Sequence, residues 1–129
     1  MAVPKELRYT KEHEWLKVEG SKGVIGITDF AQEQLGDVVF VEVPAVGTDL
    51  EQEGTFGVVE SVKTVSDLFA PVSGKVAAVN KDLEANPELV NQEPFGKGWM
   101  IEIEMANPGQ VDDMLSADEY EAFIKEQQG

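Results

Sequence analysis

Glycine, proline and asparagine interrupt this chain so often that, until near its end, no stretch is left for a substantial helix. Between the interruptions lie short runs rich in Val, Ile, Phe and Trp, the composition of strands. Glu14 to Val18 and Gly23 to Thr28 read as a hairpin around Gly20 and Ser21. Thr28 or Asp29 then caps a short helix, Phe30 to Leu35, which Gly36 ends. Asp37 to Val43 is the most apolar run, stopped by Pro44. Its centre, Val38-Val39-Phe40-Val41, does not alternate, which predicts a strand covered on both faces. Thr55 to Val59 and Leu68 to Ala70 flank a hairpin bearing Lys63, and Gly74 to Asn80 follows. Gly23 to Ile27 and Gly74 to Val79 are alike in character and hint at an internal two-fold arrangement. Residues 81–98 are irregular, with one helical turn at Pro87 to Asn91, and Trp99 to Glu104 returns to strand.

The end is helical. Asn107 caps a segment with Gln110 at N3 that leads into Val111 to Leu115. Ser116 and Glu119 form a second capping box, after which Tyr120, Phe123 and Ile124 make one apolar stripe that packs onto the sheet. The expected fold is therefore all-β, a sandwich or barrel with short peripheral helices and a C-terminal helix. The 129 residues make a single domain, with a core over about residues 7–106 and a helical segment over about 108–127.

A net charge of −15 sets the class of partner. Nucleic acid and anionic membranes would repel such a chain, whereas proteins with basic faces would attract it, and self-repulsion favours a monomer. There is no cysteine, hence no disulfide and no thiolate chemistry. With one histidine in addition, no metal site is expected. The N-terminal residues show neither a signal core nor a transit pattern, and no apolar run exceeds four residues, so the expected location is cytoplasmic and no bilayer span is expected. No phosphate loop or nucleophile elbow is present.

Four residues stand out. His13, in Lys11-Glu12-His13-Glu14-Trp15, lacks a second histidine at helical spacing and reads as structural, its ring meeting hydrogen bonds at a strand start. Glu14 and Asp67, taken singly, read as solvated surface acids. Lys63 is one lysine of nine, but it sits at the tip of a tight hairpin, Glu60-Ser61-Val62-Lys63-Thr64-Val65, among small and β-branched neighbours. A stiff hairpin presents that amine to an enzyme that must modify one chosen lysine.

Glu60-Ser61-Val62-Lys63, Ala70-Pro71-Val72-Ser73-Gly74, His13-Glu14-Trp15, Gly26-Ile27-Thr28 with Ala31-Gln32, Leu35-Gly36-Asp37, Pro87-Glu88-Leu89-Val90-Asn91 and Gly98-Trp99-Met100 resemble, in order and spacing, the H-protein family of the glycine cleavage system. The resemblance runs from about Leu7 to Phe123. It implies a lipoyl/biotinyl-like barrel-sandwich hybrid with lipoate amide-linked to Lys63. It also implies that Glu60, three residues before that lysine, and Gly74, eleven after it, assist the attaching enzyme. Val62 and Thr64 beside Lys63, where biotinyl domains carry methionines, argue against biotin.

By the same resemblance the chain is a carrier rather than an enzyme. Its lipoyl arm would take an aminomethyl group from the PLP-dependent glycine decarboxylase (P protein) to the tetrahydrofolate-dependent aminomethyltransferase (T protein). Dihydrolipoyl dehydrogenase (L protein) would then reoxidise the arm, and a lipoate ligase or octanoyl transferase would install it. Glu14 and Asp67 become candidates to shelter the loaded arm, because its amine is cationic and a carboxylate offsets the cost of holding it. The lack of cysteine also suits a dithiol carrier, which would otherwise exchange with its own thiols. Two alternatives are a relay that passes lipoate or octanoate from Lys63 to 2-oxoacid dehydrogenase complexes, and a hydrolase built on His13 and acids.

Overall fold

The computed structural model describes residues 2–128. In chain order the strands and helices are β1 (Arg8–Tyr9), β2 (Glu14–Glu19), β3 (Lys22–Ile27), α1 (Asp29–Leu35), β4 (Val38–Glu42), β5 (Asp49–Leu50), β6 (Thr55–Ser61), β7 (Val65–Phe69), β8 (Gly74–Val79), α2 (Asp82–Ala85), α3 (Leu89–Gln92), β9 (Ile101–Met105) and α4 (Ala117–Gln128), with a 3-10 helix at Pro108–Asp113 before α4. They form two antiparallel sheets, one of six strands ordered β1-β2-β3-β9-β8-β5 and one of three ordered β4-β6-β7. The two similar runs noted in the sequence, β3 and β8, lie on either side of β9. The sheets share one core, in which Leu16, Ile25, Val76 and Ile103 meet Val41, Phe56, Val59 and Leu68. No helix among the described residues is long and apolar enough to cross a membrane.

Local chemistry explains the helix ends. Thr28 Oγ1 accepts from Ala31 N at 3.2 Å, and Gly36, at φ 81°, donates its N–H to Gln32 O at 3.0 Å. Ser116 and Glu119 close a reciprocal box, Ser116 N to Glu119 Oε1 at 2.9 Å and Glu119 N to Ser116 Oγ at 3.2 Å. Tyr120 and Ile124 are buried with Tyr9, Trp15 and Phe30 in a second apolar cluster, so α4 does pack onto the body.

Three expectations needed correction. The segment after Asn107 is a 3-10 helix, and Gln110 does not complete a cap; its side chain accepts from Ser73 N at 2.7 Å and donates to Ser73 Oγ, tying the segment to the start of β8. Residues 81–98 hold two short helices, α2 and α3, not one turn. Most consequentially, β4 is not covered on both faces: Val39 and Phe40 are each 50% exposed. The unalternating apolar run arises because a bulge between Val38 and Phe40 breaks the period, on an edge strand whose outer face is open.

Candidate functional site

The Lys63 hairpin is stiff for identifiable reasons. Ser61 N donates to Thr64 O at 2.8 Å, while the buried Ser61 hydroxyl accepts from Lys63 N at 3.3 Å and Thr64 N at 3.1 Å. Val62 N donates to Asp37 O at 3.0 Å, which fastens the tip to the start of β4. That corner is itself pinned, since Asn91 accepts from Val38 N at 2.8 Å and donates to Gly36 O at 2.8 Å. Lys63 is exposed, and its stem lies over Gly36, where an added β-carbon would come 3.2 Å from Cε. Gly36 thus serves twice, supplying the positive φ that ends α1 and the bare surface under the lysine.

Glu14 is not a surface acid. It is 1% exposed, with Oε1 accepting from the Thr10 hydroxyl at 2.7 Å and Oε2 from Phe69 N at 3.3 Å. Burial pushes its pKa up to about 8, against the opposing pull of those two hydrogen bonds. A carboxyl at that value is mostly neutral at pH 7. The sequence signals only an acid at a strand start; its burial follows from β2 facing the end of β7, a long-range contact with no local pattern.

Asp67 is exposed on β7, an edge strand. Glu14 and Asp67 line the same cleft, of about 550 Å³, together with His13, Phe30, Leu35 and Ser66. A second cleft of about 600 Å³ lies on the other side of Glu14, against Tyr9, Gln52, Pro71 and Leu115. Although the second is slightly larger, the first is the one bounded by β7 residues that follow directly from the Lys63 hairpin. Asp67 is four residues past Lys63, on β7, which begins at Val65; the chain between them spans at most roughly 13 Å at strand rise. A lysine stem extended by an acyl chain can lie along such a path. An exposed amine on a stiff hairpin and a cleft with apolar and acidic lining residues thus share the stretch of chain from Lys63 to Leu68. The Ser66, Leu35 and Phe30 walls were not foreseen from sequence. Ser66, beside Asp67, could have been, because an edge strand can present successive residues to one groove.

His13 forms part of the cleft wall in a structural manner. Its Nδ1 pairs with Tyr120 Oη at 2.8 Å, and Tyr120 Oη pairs with Thr28 Oγ1 at 2.6 Å. The ring packs on Phe30 at 4.8 Å between centroids, and burial lowers its pKa. At φ 70° its backbone is left-handed, the bend that turns the chain into β2 at Glu14. This network links α4, the cap of α1 and the residue before Glu14.

Glu60 and Gly74 lie in different sheets. Glu60 is exposed on β6, paired with Phe40 on one side and Val65 on the other. Gly74 is buried at the start of β8, paired with Leu50 and Met105. Gly74 lies within the strand, not in a turn. A β-carbon would instead strike the Glu104 carbonyl oxygen of β9 and come 3.1 Å from Ile103 Cδ1. Its requirement for glycine is close backbone approach.

Comparison with known proteins agrees with this geometry. The family model described as glycine cleavage H-protein matches residues 7–127. The chain is 60% identical to the glycine cleavage system H protein of Symbiobacterium thermophilum, over 96% of this chain and 97% of that one. It is 55% identical to that of Carboxydothermus hydrogenoformans, over 97% and 96%. The crystal structure of a glycine cleavage system H protein from Mycobacterium marinum superposes with a TM-score of 0.86 at 37% identity, covering 93% of this chain and 97% of that chain. With so much of the chain matched in sequence and in fold, it belongs to the glycine cleavage H-protein family.

Proposed function

We propose that this chain is the lipoyl-bearing shuttle of the glycine cleavage system, with lipoate in amide linkage to Lys63 and the cleft beside β7 as the resting place of its cargo. The observation that carries this reading is the convergence of Glu14 and Asp67, far apart in sequence, on one groove whose β7 wall starts at Ser66, three residues past Lys63. Lipoate, when bound, supplies the disulfide that takes up an aminomethyl group and is later restored by oxidation. The protein supplies the rest. The Ser61 and Asp37 hydrogen bonds hold the base of the arm still. Phe30 and Leu35 give the groove apolar walls that exclude water from the arm. Asp67 and Glu14 face the cationic amine, and Glu14 gives up its proton to solvent as it does so, because a nearby cation favours the ionised form.

In this reading the chain visits a PLP-dependent decarboxylase, a tetrahydrofolate-dependent aminomethyltransferase and dihydrolipoyl dehydrogenase, and performs no turnover alone. The cleft favours carriage over relay of lipoate to other complexes, since a relay has no labile cargo to shelter. The test is to lipoylate wild type, Glu14→Ala and Asp67→Ala, load each with glycine and decarboxylase, remove the enzyme, and follow loss of the aminomethyl group. Intact mass should show equal lipoylation in all three, with faster loss in both variants. Equal lifetimes would remove the cleft as the shelter.

A further inference from the structure

Among the described residues, six large hydrophobic side chains are well exposed: Val18, Val39, Phe40, Val46, Val62 and Val65. Four of them, Val39, Phe40, Val62 and Val65, belong to the three-stranded sheet or to the hairpin that carries Lys63. The register explains how they join. Phe40 pairs with Glu60 and Glu60 with Val65, and residues directly opposite in an antiparallel sheet project to the same side. Phe40, Glu60 and Val65 therefore form one row across β4, β6 and β7, apolar at both ends and acidic in the middle. The neighbouring row on that face, Glu42, Val58 and Asp67, adds two acids, of which Asp67, on the edge strand, also borders the cleft. Val62, 70% exposed, stands beside Lys63 at the hairpin tip, and Val39 protrudes at the bulge.

We propose that this row is the docking surface for the enzyme that acylates Lys63, and that the enzyme meets it with an apolar patch flanked by basic side chains. The inference rests on Lys63 being the modified residue. Two considerations select this occupant. An enzyme acting on the far end of a long arm can work at a distance from the hairpin. The enzyme that forms the amide must bring its acyl donor to bonding distance of Lys63 Nζ, and so must cover the surface within a side chain's reach of the tip. Val62 and Val65 beside the tip belong to that surface, and the row continues it from Val65 through Glu60 to Phe40. Charge is the second consideration: Glu60, Glu42 and Asp67 on a chain of net charge −15 call for a basic rim, and they repel a second copy of the same face. Phe40 and Val65 offer apolar contact on either side of the exposed Glu60, whose charge fixes the orientation of a partner.

The test uses a purified lipoate ligase with lipoate and ATP. Nζ, having lost a proton to solvent, bonds the acyl carbon as adenylate leaves, and the product is read by intact mass. The variant is Phe40→Thr/Val65→Thr, with β-branched replacements that keep strand propensity, and Val18→Thr on the other sheet is the control. The double variant should raise KM for acylation about tenfold, the size of loss from truncating interface anchors, with unchanged kcat, while Val18→Thr leaves both unchanged. Wild-type kinetics in the double variant would overturn the proposal. So would an equal loss when chemically prelipoylated double variant is offered to the decarboxylase, because the row would then serve the arm's later partners. A wild-type dimer in sedimentation that the double variant abolishes would assign the row to self-association instead. Melting curves of all variants separate lost docking from lost folding. If wild type itself is not acylated at Lys63, the reading beneath the proposal fails, which the wild-type mass alone reveals.

Discussion

The two sheets treat their apolar side chains in opposite ways. In the six-stranded sheet, adjacent residues of β2 serve two cores: Leu16 enters the cluster between the sheets, and Trp15 enters the aromatic cluster under α4, its indole N–H bonded to Pro94 O. In the three-stranded sheet, Val41, Val59 and Leu68 are buried while Phe40 and Val65 stand open on the other face. Leaving a phenylalanine half exposed forgoes on the order of 1 kcal/mol of burial. The larger sheet spends its apolar surface on stability. The smaller one carries the hairpin lysine and keeps an apolar face in solvent, which suits a surface meant to be handled by other proteins.

The sharpest way to break that comparison is at Lys63. Lys63→Arg should abolish acylation completely, since a guanidinium does not accept the acyl group, while the melting temperature stays put; exposed substitutions usually fall within about 0.5 kcal/mol. Intact mass after incubation with ligase, beside a thermal melt, checks both halves. An acylated Lys63→Arg protein, or a fold that needs the lysine, would end the division of labour between the sheets. The mirror experiment lies in the larger sheet. Gly74→Ala forces a β-carbon against the Glu104 carbonyl, and overpacking of that kind costs about 1–3 kcal/mol. Glu60→Gln, on the exposed row, should leave stability unchanged and slow attachment. Denaturant unfolding and ligase rates on the two variants should therefore separate. Slowed attachment in a fully stable Gly74→Ala protein would show that Gly74 acts on the ligase directly.

What could be read in the sequence follows the range of the signal. The caps at Thr28, Gly36 and Ser116 are local chemistry and are found where local patterns put them. The β2 and β3 hairpin, the Lys63 hairpin and the α4 stripe are likewise local periodicities. The two-residue strands β1 and β5 carry no periodicity and could not be seen. β4 misleads because an apolar run with a bulge and one with double coverage look alike in one dimension. At the candidate site, the exposed hairpin that carries Lys63 is legible in the sequence, whereas the burial of Glu14 is not: Thr10 is close in sequence, but Phe69 N, its other partner, comes from β7. Gly74 needs β9 to explain it, and β9 lies beyond any local window.

Glu14 separates the shelter from the scaffold more finely. Its pKa is raised by burial, so its contribution to stability is full below the ordinary carboxylate range, near 4.5, and is lost as pH climbs through about 8. Wild type should lose stability over that window relative to Glu14→Gln, whose amide does not titrate. The hold on a cationic cargo should run the other way, strengthening over the same window as Glu14 ionises. The ratio of loaded-form lifetimes, wild type over Glu14→Gln, should therefore rise with pH while the stability difference shifts against wild type. Parallel pH profiles in both assays would mean that Glu14 only fills space between the clefts.

Salt should produce the smallest effect, and it bears on what the acidic surface adds to the apolar row. A chain of net charge −15 attracts a basic partner at long range, but screening at physiological ionic strength already acts within about 8 Å. What survives screening is contact, and contact at the row depends on Phe40 and Val65. Raising salt should thus raise KM for ligase and decarboxylase alike by slowing encounter, with kcat unmoved. The ligase KM of Phe40→Thr/Val65→Thr should stay a constant multiple of the wild-type value at every salt concentration, because apolar contact and long-range attraction act separately. The measurement is KM across a salt series for both proteins. A flat wild-type response would leave the negative charge with solubility as its only role. A ratio that collapses at high salt would mean that the row works through Glu60 and its neighbouring acids, not through its apolar ends.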